Sequence, residues 1–363
     1  MYAERMARAR GRMGELGVDA LLLSLGADLP YLTGYEAMPL ERLTMLVVPR
    51  DGDATLVVPR LEAPRVEPRP EAFTVRPWEE TDDPVALVAG LAGSPGVAAI
   101  GDRTWARFVL GLESSLPATT FRRADAVMSP LRAVKDDAET AALRRAAAAA
   151  DRVVAQIQRS EVALVGRTEA EVAADVSRRL LDEGHQRVNF AIVAAGPDAA
   201  SPHHEPGGHR IEHGEVVLFD IGGTLDGYCS DITRCVWTGE PPHEFAELYR
   251  VLEEAQSAAV GAATAGTPAE DVDATARGII AGAGYGPQFI HRTGHGIGLE
   301  EHEDPYIVAG NGEPLAVGHA FSVEPGIYVD GRWGARIEDI VIITELGPEA
   351  LNRVPHGLVS VDG

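Results

Sequence analysis

The stretch from Glu215 to Cys235 reads Glu-Val-Val-Leu-Phe-Asp-Ile-Gly-Gly-Thr-Leu-Asp-Gly-Tyr-Cys-Ser-Asp-Ile-Thr-Arg-Cys. Strong β formers flank Thr224 to Gly227, the signature of a hairpin. A two-residue loop centred on Leu225-Asp226 puts Asp220 directly opposite Asp231; one centred on Asp226-Gly227 puts them on a diagonal. Side chains alternate with a period of two, so either register leaves both carboxylates on one face. Like charges about 5 Å apart on a strand pair repel, and burial raises at least one pKa unless a cation sits between them. Two aspartates alone are more simply a solvated face, so a second set of ligands is needed to decide.

Two later stretches supply one. Phe321-Ser-Val-Glu324-Pro-Gly-Ile-Tyr328 runs through Asp330-Gly-Arg332 to Trp333-Gly-Ala-Arg336-Ile-Glu338-Asp339. A three-residue loop at 330–332 pairs Glu324 with Glu338 on one face, whereas a two-residue loop puts them on opposite faces. Pro325 cannot donate to a ladder, which places Glu324 at a bulge or sheet edge. Between the hairpins lies His291-Arg-Thr-Gly294-His295-Gly296-Ile-Gly298-Leu-Glu-Glu-His302. Glycines on both sides of His295 let the backbone bring its imidazole close to a ligand. Two Asp, one His and two Glu exceed what one tetrahedral zinc needs. Carboxylates bridge, so the set suits a pair of divalent ions such as Mn²⁺, Co²⁺ or Fe²⁺, which is hydrolysis chemistry. Arg336 precedes Glu338 by two, shares its face on a strand and is placed to neutralise nearby carboxylates.

The chain has 363 residues, room for two domains. Its charge is 32 minus 55, or −23, against the excess of Lys and Arg that a phosphate backbone requires, so no nucleic acid partner is expected. Cys229 and Cys235 lie six residues apart on one expected strand, roughly 20 Å, too far for a disulfide. With no other thiols, a reduced, cytoplasmic protein is expected. The charged stretch 1–17 has no apolar run for a signal peptide, and no membrane segment is evident.

Residues 2–125 alternate helix and strand. They include a helix over 2–16, strands at 19–24, 43–48, 55–58 and 97–100, helices near 83–91 and 105–113, and a polar turn at 28–34. A long Ala-rich helix from about 136 to 160 opens the second part, and Thr168 with Glu171 forms a capping box for the next. Two more helices, 243–265 and 268–283, interrupt a region of strands. The expected architecture is an α/β N-terminal domain, 1–128, followed by an α+β domain, 129–363.

The order Asp220, Asp231, Gly294-His295-Gly296, Glu324-Pro325-Gly326 and Arg336-Ile337-Glu338-Asp339 resembles the pita-bread metallopeptidases, over roughly residues 135–355. That family groups methionine aminopeptidase, aminopeptidase P, prolidase and the metal-free creatinase. Gly17-Val-Asp-Ala20 and Tyr31-Leu-Thr-Gly-Tyr35 resemble the creatinase-type N-domain of aminopeptidase P and prolidase, which methionine aminopeptidase lacks.

The resemblance implies that Asp220 chelates one metal, that Asp231 and Glu338 bridge two, and that His295 and Glu324 complete the second, Glu324 also shuttling a proton. His203, seventeen residues before Asp220 and adjacent to His204, matches a histidine beside the substrate. His291 and His302 match two that hold the scissile carbonyl, the oxyanion or the proline carboxylate, and Tyr328 is expected in the same cleft. Two divalent ions, Mn²⁺ first with Co²⁺, Fe²⁺ or Zn²⁺ as alternatives, are the implied cofactors.

The implied reaction is cleavage before proline, in Xaa-Pro dipeptides as by prolidase or in longer peptides as by aminopeptidase P. A creatinase-like amide hydrolase or an inactive binding module is disfavoured by the complete ligand set. In related enzymes a neighbouring subunit's N-domain covers the site, so a homodimer is expected, with Arg42 gripping the substrate carboxylate and Glu36 its amine. His209, His213, His243, His319 and His356 are expected at the surface.

Overall fold

The computed structural model describes residues 1–361, which divide into one unit of Met1–Arg132 and a second from Ala133 onward. The expected break after residue 128 falls inside a helix, Asp125–Ala133.

The first unit is a six-stranded mixed sheet in the order Thr74–Trp78, Thr55–Pro59, Met45–Pro49, Ala20–Leu23, Val97–Ile100, Thr120–Arg123. Ala20–Leu23 lies at its centre, buried throughout, as an unbroken apolar run should be. Helices Pro84–Ala92 and Ala106–Ser115 contribute Val88, Phe108 and Leu112 to the core on Leu22, Met45 and Val57. Residues 28–33, expected as a turn, form a short helix ended by Gly34 at φ 74°. Leu29, Tyr31 and Leu32 are buried there, so packing makes a helix too short for its period to show in sequence.

The second unit holds two five-stranded sheets and a hairpin. In the first sheet Arg187–Ala195, Val216–Leu225 and Ile232–Thr238 are antiparallel neighbours. Val217, Phe219 and Ile221 face one core with helices Asp137–Gln158 and Glu169–Asp182. Val216 and Leu218, on the opposite face, pack with His243–Ala262 and Ala269–Gly282. The Ala tract is a packing surface: Ala146, Ala147, Ala149 and Ala150 are all buried. Capping boxes start both N-terminal helices, Asp136 with Glu139 and Thr168 with Glu171, each contributing about 1 kcal/mol.

Both hairpins settle their registers. Thr224 pairs with Cys229 and Leu225 with Tyr228, leaving Asp226 at φ 51° and Gly227 at φ 81° as the loop. Positive φ at both positions is what a type I′ turn requires. Asp220 therefore opposes Thr233 and lies diagonal to Asp231. In the other hairpin Val329 pairs with Trp333 around the three-residue loop 330–332. The same register continues in the second sheet, where Val323 pairs with Asp339. Glu324 and Glu338 thus face each other in the gap between two ladders, and Glu338 bridges instead to Thr233 of the first sheet. No helix among the described residues is long and apolar enough to cross a membrane.

Candidate metal centre

Asp220 and Asp231 arrive on the first hairpin, Glu324 and Glu338 at the break in the second, and His295 on the three-residue strand between them. That strand lies against Glu303–Ile307 and Ala320–Val323. A Cβ at Gly294 would overlap the Ser322 carbonyl oxygen and one at Gly296 the Asp304 carbonyl, so the bracketing glycines let His295 in. The His295 Nδ1 faces the Gly296 carbonyl at 3.1 Å, which turns Nε2 toward the acids, 3.2 Å from Glu324 Oε1 and 3.8 Å from Asp231 Oδ2. One ligating atom each of Asp231, His295 and Glu338 lies within 4.8 Å of the other two.

The acids are crowded and incompletely bonded. Among the described residues, Asp220 Oδ1, Asp231 Oδ1 and Glu338 Oε1 are buried without a hydrogen-bond partner. Leaving a buried charged oxygen unsatisfied costs several kcal/mol, roughly 3 or more each, a cost that a bound cation would relieve. Burial, then the charges of Glu338, Asp220 and Glu324, raises the Asp231 pKa well above the carboxylate range. Burial, then Glu324 and Asp220, does the same to Glu338. Asp220 is also raised, since burial outweighs the Arg336 guanidinium 2.5 Å away. Glu324 goes the other way, to about 2: burial opposes ionisation, but the His295 hydrogen bond and the charges of His295, His291 and Arg336 prevail. Oxygen-rich donors with orphaned lone pairs and an imidazole nitrogen fit divalent cations of the Mn²⁺, Fe²⁺ or Co²⁺ type.

Arg336 donates to Asp220, to Tyr328 Oη at 2.7 Å and to Thr233 Oγ1 at 3.2 Å. Thr233 in turn donates to Glu338 Oε2 at 2.6 Å, and His291 Nε2 lies 2.8 Å from Tyr328 Oη. Asp220, His291, Arg336 and Glu338 border a cavity of about 430 Å³, also lined by His203, Pro202, Phe190, Ile192, Arg292, Glu301 and His302. The His302 ring meets His295, centroids 4.0 Å apart; desolvation, then the His295 charge, takes its pKa down to about 4. Burial also lowers His291.

Residues 141–345 match the model of metallopeptidase family M24, and residues 5–134 match the creatinase/prolidase N-terminal domain. The chain belongs to metallopeptidase family M24. It is 46% identical to a probable dipeptidase PepE of Mycobacterium bovis, over 99% of this chain and 97% of that protein. The crystal structure of dipeptidase PepE from Mycobacterium ulcerans superposes with a TM-score of 0.94 at 46% identity, covering 100% of this chain and 98% of that one. A prolidase from Thermococcus sibiricus gives 0.93 at 37% identity, covering 99% of each. The fold is the creatinase-type N-domain followed by the pita-bread catalytic domain of M24 metallopeptidases.

The structure brings Asp220, Asp231, His295, Glu324, Glu338, His203, His291, His302 and Arg336 to one cavity, with Tyr328 hydrogen-bonded behind it. Arg42 and Glu36 belong to the N-terminal unit, where Arg42 is shared between Glu80 at 2.8 Å and Glu41 at 2.5 Å. His204, neighbour of His203, is committed to Glu169 at 2.7 Å. Of the histidines expected at the surface, His213 and His243 are exposed. His209 and His356 are instead half-buried against Glu215 and Asp339, and His319 accepts from the Ala316 amide. Lining residues not among the expected site residues include Arg292 and Glu301, each of which adjoins a histidine of the central motif; Thr233, which shares the parity of Asp231 and donates to Glu338 from outside the lining, was also missed. Cys229 and Cys235 are free and buried, with burial raising them to about 12 and about 11.

Proposed function

We propose that this metallopeptidase hydrolyses the peptide bond before proline in Xaa-Pro dipeptides, using two divalent ions held by Asp220, Asp231, His295, Glu324 and Glu338. The observation that carries this reading is the set of three orphaned carboxylate oxygens, on Asp220, Asp231 and Glu338, in the cavity that His295 also lines. The names of the relatives, dipeptidase and prolidase, support the dipeptide over longer peptides. Mn²⁺ comes first because carboxylate oxygen dominates the donor set. A homodimer acting in the cytoplasm completes the proposal.

When bound, the ion pair supplies an activated water and a positive field for the attacked carbonyl oxygen. The protein's own groups do the rest. Glu324, ionised at neutral pH, takes a proton as the water oxygen bonds to the carbonyl carbon, then gives it to the proline nitrogen as the C–N bond breaks. Arg336 and Thr233 hold Asp220 and Glu338 in place. Neutral His291 and His302, with His203, donate to oxygens that gain charge in the transition state. Metal analysis of the purified protein, combined with Mn²⁺-stimulated turnover of an Xaa-Pro dipeptide and the matching Xaa-Pro-Xaa tripeptide, tests the proposal. Two ions per chain and faster dipeptide turnover are expected; tripeptide turnover alone would make it an aminopeptidase.

A further inference from the structure

A dipeptide differs from a longer peptide by a free carboxylate next to the scissile bond, and reading that charge inside a cavity takes a cation with no protein partner. Two arginines line the cavity. Arg336 is committed to Asp220, Tyr328 and Thr233. Arg292 is not: among the described residues no carboxylate lies within ion-pair distance of it, and its guanidinium stacks on the Tyr306 ring, 4.5 Å from the centroid. Stacking on the aromatic face fixes the plane of the guanidinium while leaving its edge donors unused.

The backbone that carries Arg292 is clamped. Asp273 accepts from the Thr293 amide and hydroxyl at 3.1 and 2.8 Å, and Arg277, paired with Asp273, donates to the His291 carbonyl at 2.9 Å. A half-buried arginine held by a clamped backbone and an aromatic plate is pre-organised, so little entropy opposes its binding. Glu301, also in the lining, has the opposite sign and repels a carboxylate from its own side. Arg42, already shared between two glutamates, is the poorer candidate.

We infer that Arg292, stacked on Tyr306, is the specificity-determining residue that grips the C-terminal carboxylate of the substrate and so selects dipeptides. The inference rests on the proposed function, and its test separates the two. Wild type, Arg292→Gln and Arg292→Lys are assayed with Mn²⁺ on an Xaa-Pro dipeptide and on its C-terminal amide, with melting temperature and metal content as folding controls. Wild type is expected to prefer the acid. Arg292→Gln should cut the acid-to-amide ratio of kcat/KM by about 10- to 100-fold, the loss lying mainly in KM, as for one charge-assisted bidentate contact. Arg292→Lys should recover part of it. Wild-type turnover with a ratio unchanged within about twofold in Arg292→Gln overturns this inference alone. A wild-type enzyme without dipeptide turnover overturns the proposed function and this inference with it.

Discussion

Glu338 and Asp339 are adjacent, equally buried, and face opposite fates. Asp339 accepts from Arg234 at 2.7 Å, Gln256 at 3.0 Å and His356 at 2.7 Å. Arg234 spends its other donors on the carbonyls of Thr233, Glu338, Val354 and Pro355. Burial would raise the Asp339 pKa, yet these partners pull it below the usual value. Glu338 has one donor, Thr233, and acids for neighbours, and its pKa goes up. A buried charge satisfied by protein serves the fold; one left unsatisfied is a place for something the protein does not itself provide.

The contrast predicts opposite consequences of removing charge on the two faces. Asp231→Asn should lower kcat by roughly 10³-fold or more, about 4 kcal/mol in the barrier, with loss of bound metal. The same change should leave the chelator-treated protein as stable as wild type or more so, because it relieves repulsion. A lower melting temperature in EDTA would break the comparison.

Asp339→Asn should cost about 3 kcal/mol in urea unfolding, since it strands the Arg234 guanidinium in the interior. Metal bound per folded chain should stay at the wild-type level, which metal analysis after gel filtration checks.

The smallest effect is a slope. Asp231, Glu338 and Asp220 have raised folded-state pKa values, so the stability they contribute is complete in acid and lost as pH climbs through those values. Glu324, near 2, loses its contribution only in strong acid. Thermal melts of stripped protein should therefore fall, relative to the metal-loaded form, as pH rises above the ordinary carboxylate range. Parallel curves would mean that the carboxylates do not repel.

Much of this site was legible in the chain because strand parity is local arithmetic. Asp220 with Asp231, and Glu324 with Glu338, share faces by count alone once the turns at Asp226-Gly227 and 330–332 are chosen. Thr233 was legible by the same parity and was overlooked, while His356 was misread because its partner, Asp339, comes from a strand seventeen residues earlier in the chain.

The sequence by itself determined which residue types recur on which face, where helices begin, as at Asp136 and Thr168, and which family the chain resembles. Only the tertiary structure decided which buried charges are paired, that 28–33 is helical, and that Arg292 meets Tyr306. Periodicity reports on neighbours a few residues apart. Pairing and desolvation depend on atoms from distant segments, whose positions exist only once the chain has closed on itself.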